Sequence, residues 1–315
     1  MNRPPRREER SPQGGRGGIR GPDGGGRPPG LNRRAGPQDR GGPPARVRPV
    51  YREARDLLRP RPPTTANLGL LYDRYADIWS GDAGNWEPQT SRDGGSVRQR
   101  FLEEMAQHAQ DVAPQLASLL RALHERRAAL WRFLDAHEVD VTLATPLVSG
   151  TGMTHALEVG FVWDRNLGVP FLPASSLKGA TRAWAQHWEG LVGPTLARTF
   201  GDRPAETAEA GGAGTVVFHA LYPVEPPRVR VDVLNPHFAE YYQGKVRQPG
   251  DWLAPQPVFF LTVPAGTRFR TALHTRPDAA PADRAQAERW LHDALSNLGI
   301  GAKTAVGYGL FTPSG

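Results

Sequence analysis

Residues 138–143, Glu138-Val139-Asp140-Val141-Thr142-Leu143, mark the point where the pattern of this chain changes from helical to extended. Val139, Val141 and Leu143 alternate with polar neighbours, the period of a strand with one buried face. Forward from there, Leu147 to Met153 is a Gly/Ser/Thr loop and Glu158 to Trp163 is a second short strand candidate. Gly168 to Pro173 leads into a helix opening at Ser175 or Ser176. Thr215 to Tyr222 and Val229 to Leu234 read as strands, and Pro257 to Val263 with Thr267 to Leu273 as a hairpin turning at Ala265-Gly266. Ala282 to Leu298 is an amphipathic helix burying Trp290, Leu291, Ala294, Leu295 and Leu298, and a last strand runs from about Val306 to Phe311. Strand, helix, strands, helix, strand is the β-α-β-β-α-β order of an α+β, ferredoxin-like (RRM-like) domain with insertions, an antiparallel sheet with both helices on one face. RNA-recognition modules use this topology, although a fold does not by itself establish function.

Backward from residue 138 the period is helical. Asn67 to Trp79 places Leu68, Leu71, Tyr72, Tyr75, Ile78 and Trp79 on one stripe, and Ser96 to about Gln110 is a second helix. Pro114 suits the first turn of a third, running to about His137 and burying Leu116, Leu119, Leu120, Leu123, Leu130, Trp131 and Leu134. The chain therefore divides into 1–63, a disordered basic tail and linker; 64–137, a helical N-terminal region; and 138–315, the ferredoxin-like domain.

The charge is unevenly placed. Residues 1–50 hold 12 Arg against 4 Asp and Glu, with 12 Gly and 10 Pro, so the tail carries +8 while the 315-residue chain carries +7. The rest is near neutral, and the tail has too little apolar surface to offset ordering entropy. Its plain reading is a solvated extension, its sharper one an RGG-like arm touching RNA. There are no cysteines, which excludes disulfides and thiolate metal sites. Neither a signal peptide nor a membrane span is legible, and a soluble, cytoplasmic protein is expected.

Lysine is rare: of 39 basic residues only Lys178, Lys245 and Lys303 are lysines. Lys303 lies in Gly299-Ile300-Gly301-Ala302-Lys303-Thr304-Ala305-Val306-Gly307-Tyr308-Gly309, whose glycines are expected to expose backbone N–H groups to a polyanion. Lys178 lies in Pro173-Ala174-Ser175-Ser176-Leu177-Lys178-Gly179, with Ser175 as expected N-cap. In that first turn the helix dipole disfavours a cation by about 0.3–1 kcal/mol, which points to an anion shared with the helix start, the plainer alternative being a lysine reaching into solvent.

Three catalytic patterns fail. Ser175-x-x-Lys178 matches the serine acyl-enzyme motif, but Lys303-Thr304 is followed by Ala305, not glycine, and no Ser-Asp-Asn occurs. Gly301-Ala302-Lys303-Thr304 lacks the glycine a phosphate-binding P-loop needs before its lysine, and leaves no following helix. Nine histidines form no His-Glu-x-x-His, and neither a metal nor a cofactor is expected. Between Val231 and Tyr242, Asp232 and His237 suit acid–base chemistry and Tyr241 and Tyr242 suit base stacking; a strand end with a packed aromatic pair explains them equally well.

Taken together these motifs resemble a known family. Phe171 to Arg182 is similar to the "P-x-S-S-[LI]-K-G-x-x-R" helix entry of the RAMP proteins, the RNA-binding subunits of CRISPR effectors, with Ala174 where glycine is common. Gly299 to Gly309 resembles their C-terminal glycine-rich loop, and Thr199-Phe200-Gly201 with Gly214 opening a strand also fits. Asn67 to Tyr72, Gly150-Thr151-Gly152 with His155, Glu158-Val159-Gly160, Asp232 to Tyr242, and Asp251-Trp252 followed by Pro257 to Leu261 resemble the sixth RAMP subunit of the type III-B (Cmr) complex. The likeness covers about residues 64–313 and omits the tail.

The resemblance implies a non-catalytic subunit that caps the backbone filament near the 3′ end of the crRNA. It implies contact with crRNA and target RNA, and with the repeated backbone RAMP subunit, the large capping RAMP subunit and a small helical subunit. The residues expected at RNA are Ser175, Ser176, Lys178, Arg182, His237, Tyr241, Gly299, Gly301, Lys303, Thr304 and Gly307, with Lys178 and Lys303 sharing one backbone site. Two rivals stand beside it: a metal-independent endoribonuclease maturing crRNA through His237 and Tyr241, and a scaffold whose glycine loop meets only protein.

Overall fold

The computed structural model describes residues 65–314, apart from 83–84, 90, 93–94, 202–211, 251, 254 and 256. The tail and linker expected over 1–63 lie outside the described residues.

Helix α1 (Leu68–Arg74) is capped by Asn67, whose side chain accepts from the Leu70 N–H. It ends sooner than the apolar stripe suggests. Tyr75 leaves helical geometry, and Ile78 and Trp79 lead into β1 (Trp79–Asp82), which pairs with β2 (Asn85–Pro88). A second small hairpin, β3 (Ser91–Arg92) and β4 (Gly95–Ser96), follows, so the region read as helical also contains four short strands. Ser96 caps α2 (Val97–Asp111), and Pro114 sits in the first turn of α3 (Ala113–Phe133), both as expected. Of the stripe assigned to α3, Leu116, Leu120 and Trp131 are buried, whereas Leu119 and Leu130 are exposed.

The main sheet is antiparallel, in the order β11 (Phe311–Pro313), β5 (His137–Leu143), β10 (Arg268–Thr275), β6 (Val216–Phe218), with β7 (Tyr222–Pro223) also paired to β10. Alternation decides its faces. Val139, Val141, Leu143, Val216, Phe269, Leu273 and Phe311 are buried on one side, where α4 (Ala174–His187) and α7 (Asp283–Asp293) pack on the sheet and on each other. The last turn after α7, Ala294–Leu298, widens to π geometry. Fully burying one such aliphatic or aromatic side chain contributes about 1.5–3 kcal/mol. The same core takes in Leu68, Tyr72, Leu102 and Leu120 from α1 to α3.

The opposite face carries charge. Asp140 lies directly across from Arg270 and accepts from its Nε at 2.6 Å and its NH2 at 2.7 Å. Those bonds hold the Asp140 carboxyl below its usual range. Helix α3 reaches this face too: His124 Nε2 meets the Pro223 carbonyl at 2.9 Å, Arg127 donates to the Ala220 carbonyl, and Trp131 lies against His219.

Four strand expectations are corrected. Pro257 to Val263 and Thr267 to Leu273 do not form a hairpin: β9 (Val258–Thr262) pairs with β8 (Arg230–Leu234) in a separate two-stranded sheet against α2, while β10 pairs with β5, β6 and β7. The Gly266 N–H donates to the Leu143 carbonyl, so the turn fastens to β5 and frees β9 from the main sheet. Glu158 to Trp163 is not a strand, because Glu158 sits at φ 72, a left-handed conformation that ends extension. Thr215 to Tyr222 breaks into β6 and β7 at 219–221, where Leu221 pairs with Leu172 instead. The last strand starts only at Phe311; Thr304–Val306 is a 3-10 turn.

Candidate nucleic-acid interface

The loop 299–309 is a self-packed turn. Gly299, Gly301, Gly307 and Gly309 all have positive φ. A Cβ on Gly301 would stand 2.4 Å from the Val148 carbonyl oxygen, and one on Gly309 2.0 Å from that of Ile300. Only glycine permits such backbone approach. The N–H groups of Gly299, Gly307 and Gly309 donate to the carbonyls of Ala294, Thr304 and Pro146. The expectation that these glycines present N–H groups to a polyanion is therefore corrected for Gly299, Gly307 and Gly309; the Gly309 and Ala302 N–H groups tie the loop to Pro146 and Val148.

What the turn presents is Lys303. It sits at φ 60, a conformation costing a residue with a Cβ about 1 kcal/mol or more. Strain of this kind concentrates at functional positions. Its Nζ lies 5.1 Å from the centroid of the Phe260 ring, a cation–π placement on β9. Phe260 pairs directly with Asp232 on β8, and the Tyr308 hydroxyl donates to Asp232 Oδ2 at 2.7 Å. Burial first, and then the bond to Asp232, push the Tyr308 hydroxyl up to about 12. Asp232 also accepts from the Val233 N–H, so its carboxylate serves the fold and not His237.

Lys178 lies near the start of α4. Pro173, not Ser175, occupies the N-cap of α4, and no side chain caps the helix; Ser175 and Ser176 lie within its first turn. The Ser176 N–H already bonds to the Pro173 carbonyl at 3.0 Å, which leaves the hydroxyls outside the capping geometry. Ser175 and Lys178 line a groove of about 340 Å³ with Gly201, Gly214, Val217 and Arg276. Arg182 is committed elsewhere, its NH1 donating to the Gly201 carbonyl at 2.7 Å, so it holds the groove wall together.

His237 and Tyr241 form a third region. His237 and Phe238 line a cavity of about 390 Å³ with Gly250 and Leu253. Tyr241 lies against Tyr242 on a single turn, α6 (Ala239–Tyr242), not against His237. Tyr242 is 79 % exposed and Trp252 75 %, leaving two broad aromatic faces in solvent. The face of the main sheet opposite α4 and α7, where an RRM stacks bases, instead presents the Asp140–Arg270 pair and the His219–His274 contact at 3.0 Å and is partly covered by α3.

Sequence reasoning passed over Phe260, Tyr308 and Arg276. The signal available for the first two was the pairing of β8 with β9, which alternation does not specify. Among the described residues no group of three or more His, Cys, Asp or Glu is placed to hold a metal ion, and no helix is long and apolar enough to cross a membrane.

Comparison with known proteins agrees with these motifs. The chain is 38% identical over 222 residues to the CRISPR system Cmr subunit Cmr6 of Pyrococcus furiosus, covering 52% of this chain and 64% of that protein. It is 27% identical over 157 residues to the CRISPR system CMR subunit Cmr6 of Saccharolobus solfataricus, covering 48% of each. The chain therefore spans less than two thirds of the length of these curated relatives. Among solved structures, a type III-B Cmr-beta complex bound to cognate target RNA matches with a TM-score of 0.47 and 20% identity over 71% of this chain and 77% of that one. Cmr6 from Pyrococcus furiosus matches with a TM-score of 0.34 and 26% identity over 57% of this chain and 98% of that one. The RAMP superfamily model matches residues 140–312, more than half of the chain, from the sheet-opening strand through the glycine loop, and the chain belongs to the RAMP superfamily.

Proposed function

We propose that this chain is a non-catalytic subunit of a type III-B CRISPR effector, a RAMP domain with a ferredoxin-like core. In this reading it acts in the cytoplasm, caps the backbone filament near the crRNA 3′ end, and holds crRNA and target RNA. Its neighbours would be the repeated backbone RAMP subunit, the large capping RAMP subunit and the small helical subunit. The observation that carries the reading is the 38% identity to a Cmr6 subunit. Lys303 is the phosphate contact: a single ammonium on a strained, self-packed turn, held over Phe260 and free of any described carboxylate partner. The exposed faces of Tyr241 and Tyr242 suit base stacking, worth about 1–3 kcal/mol per base. Outside the tail the chain is near neutral, with 27 basic and 28 acidic residues over 51–315, so RNA affinity depends on the assembly.

The test is reconstitution. The full chain, mixed with the other Cmr subunits and crRNA, is expected to enter the complex. Lys303→Ala is expected to enter equally well but to release crRNA at lower salt. Failure to join the complex would refute the assembly role; unchanged RNA retention would refute the Lys303 contact. Specific cleavage of repeat RNA by the purified chain in EDTA would replace this reading with a metal-independent endoribonuclease.

A further inference from the structure

Helix α3 has two apolar faces, and the fold uses one. Leu116, Leu120 and Trp131 are buried, and His124 and Arg127 on the same side bond to the Pro223 and Ala220 carbonyls. Roughly a quarter turn around the axis, Leu119, Arg126, Leu130 and Phe133 fall within about 60° of one another at 3.6 residues per turn. All four are exposed, Phe133 at 86 %. A surface helix normally turns charged and polar residues outward. Apolar residues scattered singly over a surface need no explanation, but these repeat. Leu119, Ala122, Arg126, Ala129 and Phe133 follow the 3,4,3,4 spacing of heptad a and d positions, with Leu130 flanking the seam. Ala122 and Ala129 are exposed as well.

The seam has the dimensions of a helix contact. From Leu119 to Phe133 it runs about four turns, or about 21 Å at 1.5 Å per residue. The short side chains of Ala122 and Ala129 let a second helix come close, while Leu119, Leu130 and Phe133 project beside them. Its centre is charged. Arg126 occupies the middle a position, and exposed Arg132 lies at the seam's edge. Over its whole length α3 holds four arginines against one carboxylate, Glu125.

We infer that this seam docks an amphipathic helix of a partner protein, with an aspartate or glutamate of that helix opposite Arg126. The partner's apolar side chains cover Leu119, Leu130 and Phe133. Its carboxylate meets Arg126 and fixes the register, as one polar residue in an apolar seam does. A second copy of this chain is a poor occupant. Pairing the seam with itself about its centre, parallel or antiparallel, brings Arg126 against Arg126, and like charges face to face oppose association. Nucleic acid would engage the arginines but leave Leu119 and Leu130 without apolar cover.

The test uses the full chain and a fluorescein-labelled helical peptide as long as α3, followed by anisotropy. The peptide carries leucine at its a and d positions, except for glutamate at the central a. Binding is expected. Lysine in place of that glutamate, or Arg126→Glu in the chain, is expected to weaken it at least about tenfold, the effect of ~1.4 kcal/mol. The lysine peptide with the Arg126→Glu chain is expected to bind as the original pair does. Phe133→Ser is expected to weaken binding with an unchanged far-UV spectrum, because the side chain it removes is exposed. The peptide exchange needs no variant, so a chain that fails to fold leaves the test intact. No binding, or equal binding of the glutamate and lysine peptides, would overturn the inference. Dimerisation of the chain in sedimentation, abolished by Phe133→Ser, would overturn it and assign the seam to a second copy. An oligouridylate that displaces the peptide, and whose own binding needs Arg126, would assign it to RNA. Clearly tighter peptide binding by a chain lacking residues 1–64 would assign it to those residues.

Discussion

The Tyr308 hydroxyl donates to Asp232 Oδ2 at 2.7 Å, fastening the glycine loop to strand β8 across 76 residues of sequence. Through the Asp232–Phe260 pairing, the same contact fixes the ring over which Lys303 lies. Tyr308→Phe is expected to destabilise the chain by about 0.5–1.5 kcal/mol in urea unfolding, the net worth of one such bond. Amide exchange in 299–309 is expected to quicken more than in β5. Unchanged exchange in the loop would show that the bond does not hold it.

Gly301 and Gly307 separate two demands on glycine. Both have positive φ, but a Cβ at 301 meets the Val148 carbonyl while one at 307 meets nothing within 4 Å. Gly307→Ala is expected to cost about 1 kcal/mol, from backbone strain alone. Gly301→Ala adds a clash worth about 1–3 kcal/mol and is expected to lower the melting temperature clearly further. Equal losses would contradict the packing described for 146–148.

Arg182 sits one turn beyond Lys178, and its NH1 donates to the Gly201 carbonyl. Arg182→Ala is expected to lower thermal stability, by about 1–2 kcal/mol for a lost charge-assisted bond, and to leave crRNA retention in the folded complex as it was. A loss of RNA without a loss of stability would return Arg182 to the RNA surface.

Several histidines make stability depend on pH in one direction. His219 is pushed down to about 4 by burial first, then by His274 and Arg127; His274, His124 and His155 are lowered as well, mainly by burial. Each favours its neutral form in the fold, so the unfolded chain binds more protons below its ordinary range near pH 6.5. Stability is full above that value and falls as the pH drops toward 4. His219→Gln is expected to flatten the fall in melting temperature between pH 7 and 5, and an unaltered profile would remove His219 from its cause.

Residues whose partners are near in sequence or on one face were legible. Val139, Val141 and Leu143 announced β5, Ser96 capped α2, and Pro114 opened α3. Residues whose partners are set by tertiary pairing were not. The apolar run of β9 carries no mark of preferring β8 over β10, because the adjacent Phe260 and Leu261 are both buried and give no alternation to read. The glycines of 299–309 were visible, but the anchoring of their loop was not: the Gly309 and Ala302 N–H groups bond to Pro146 and Val148, more than 150 residues away. The lysines were singled out because both sit in glycine motifs; that Lys178 stands beside β6 and Lys303 over Phe260 of β9 follows from tertiary packing.

Placing a photo-crosslinking residue at Val306, 71 % exposed on the loop beside Lys303, tests the central claim most directly. In the complex assembled from the full chain, its partner subunits and labelled crRNA, irradiation is expected to join label to this chain, less so when Lys303 is also replaced by alanine. Crosslinks to protein alone, with none to RNA, would contradict the account and leave the glycine loop a contact between subunits.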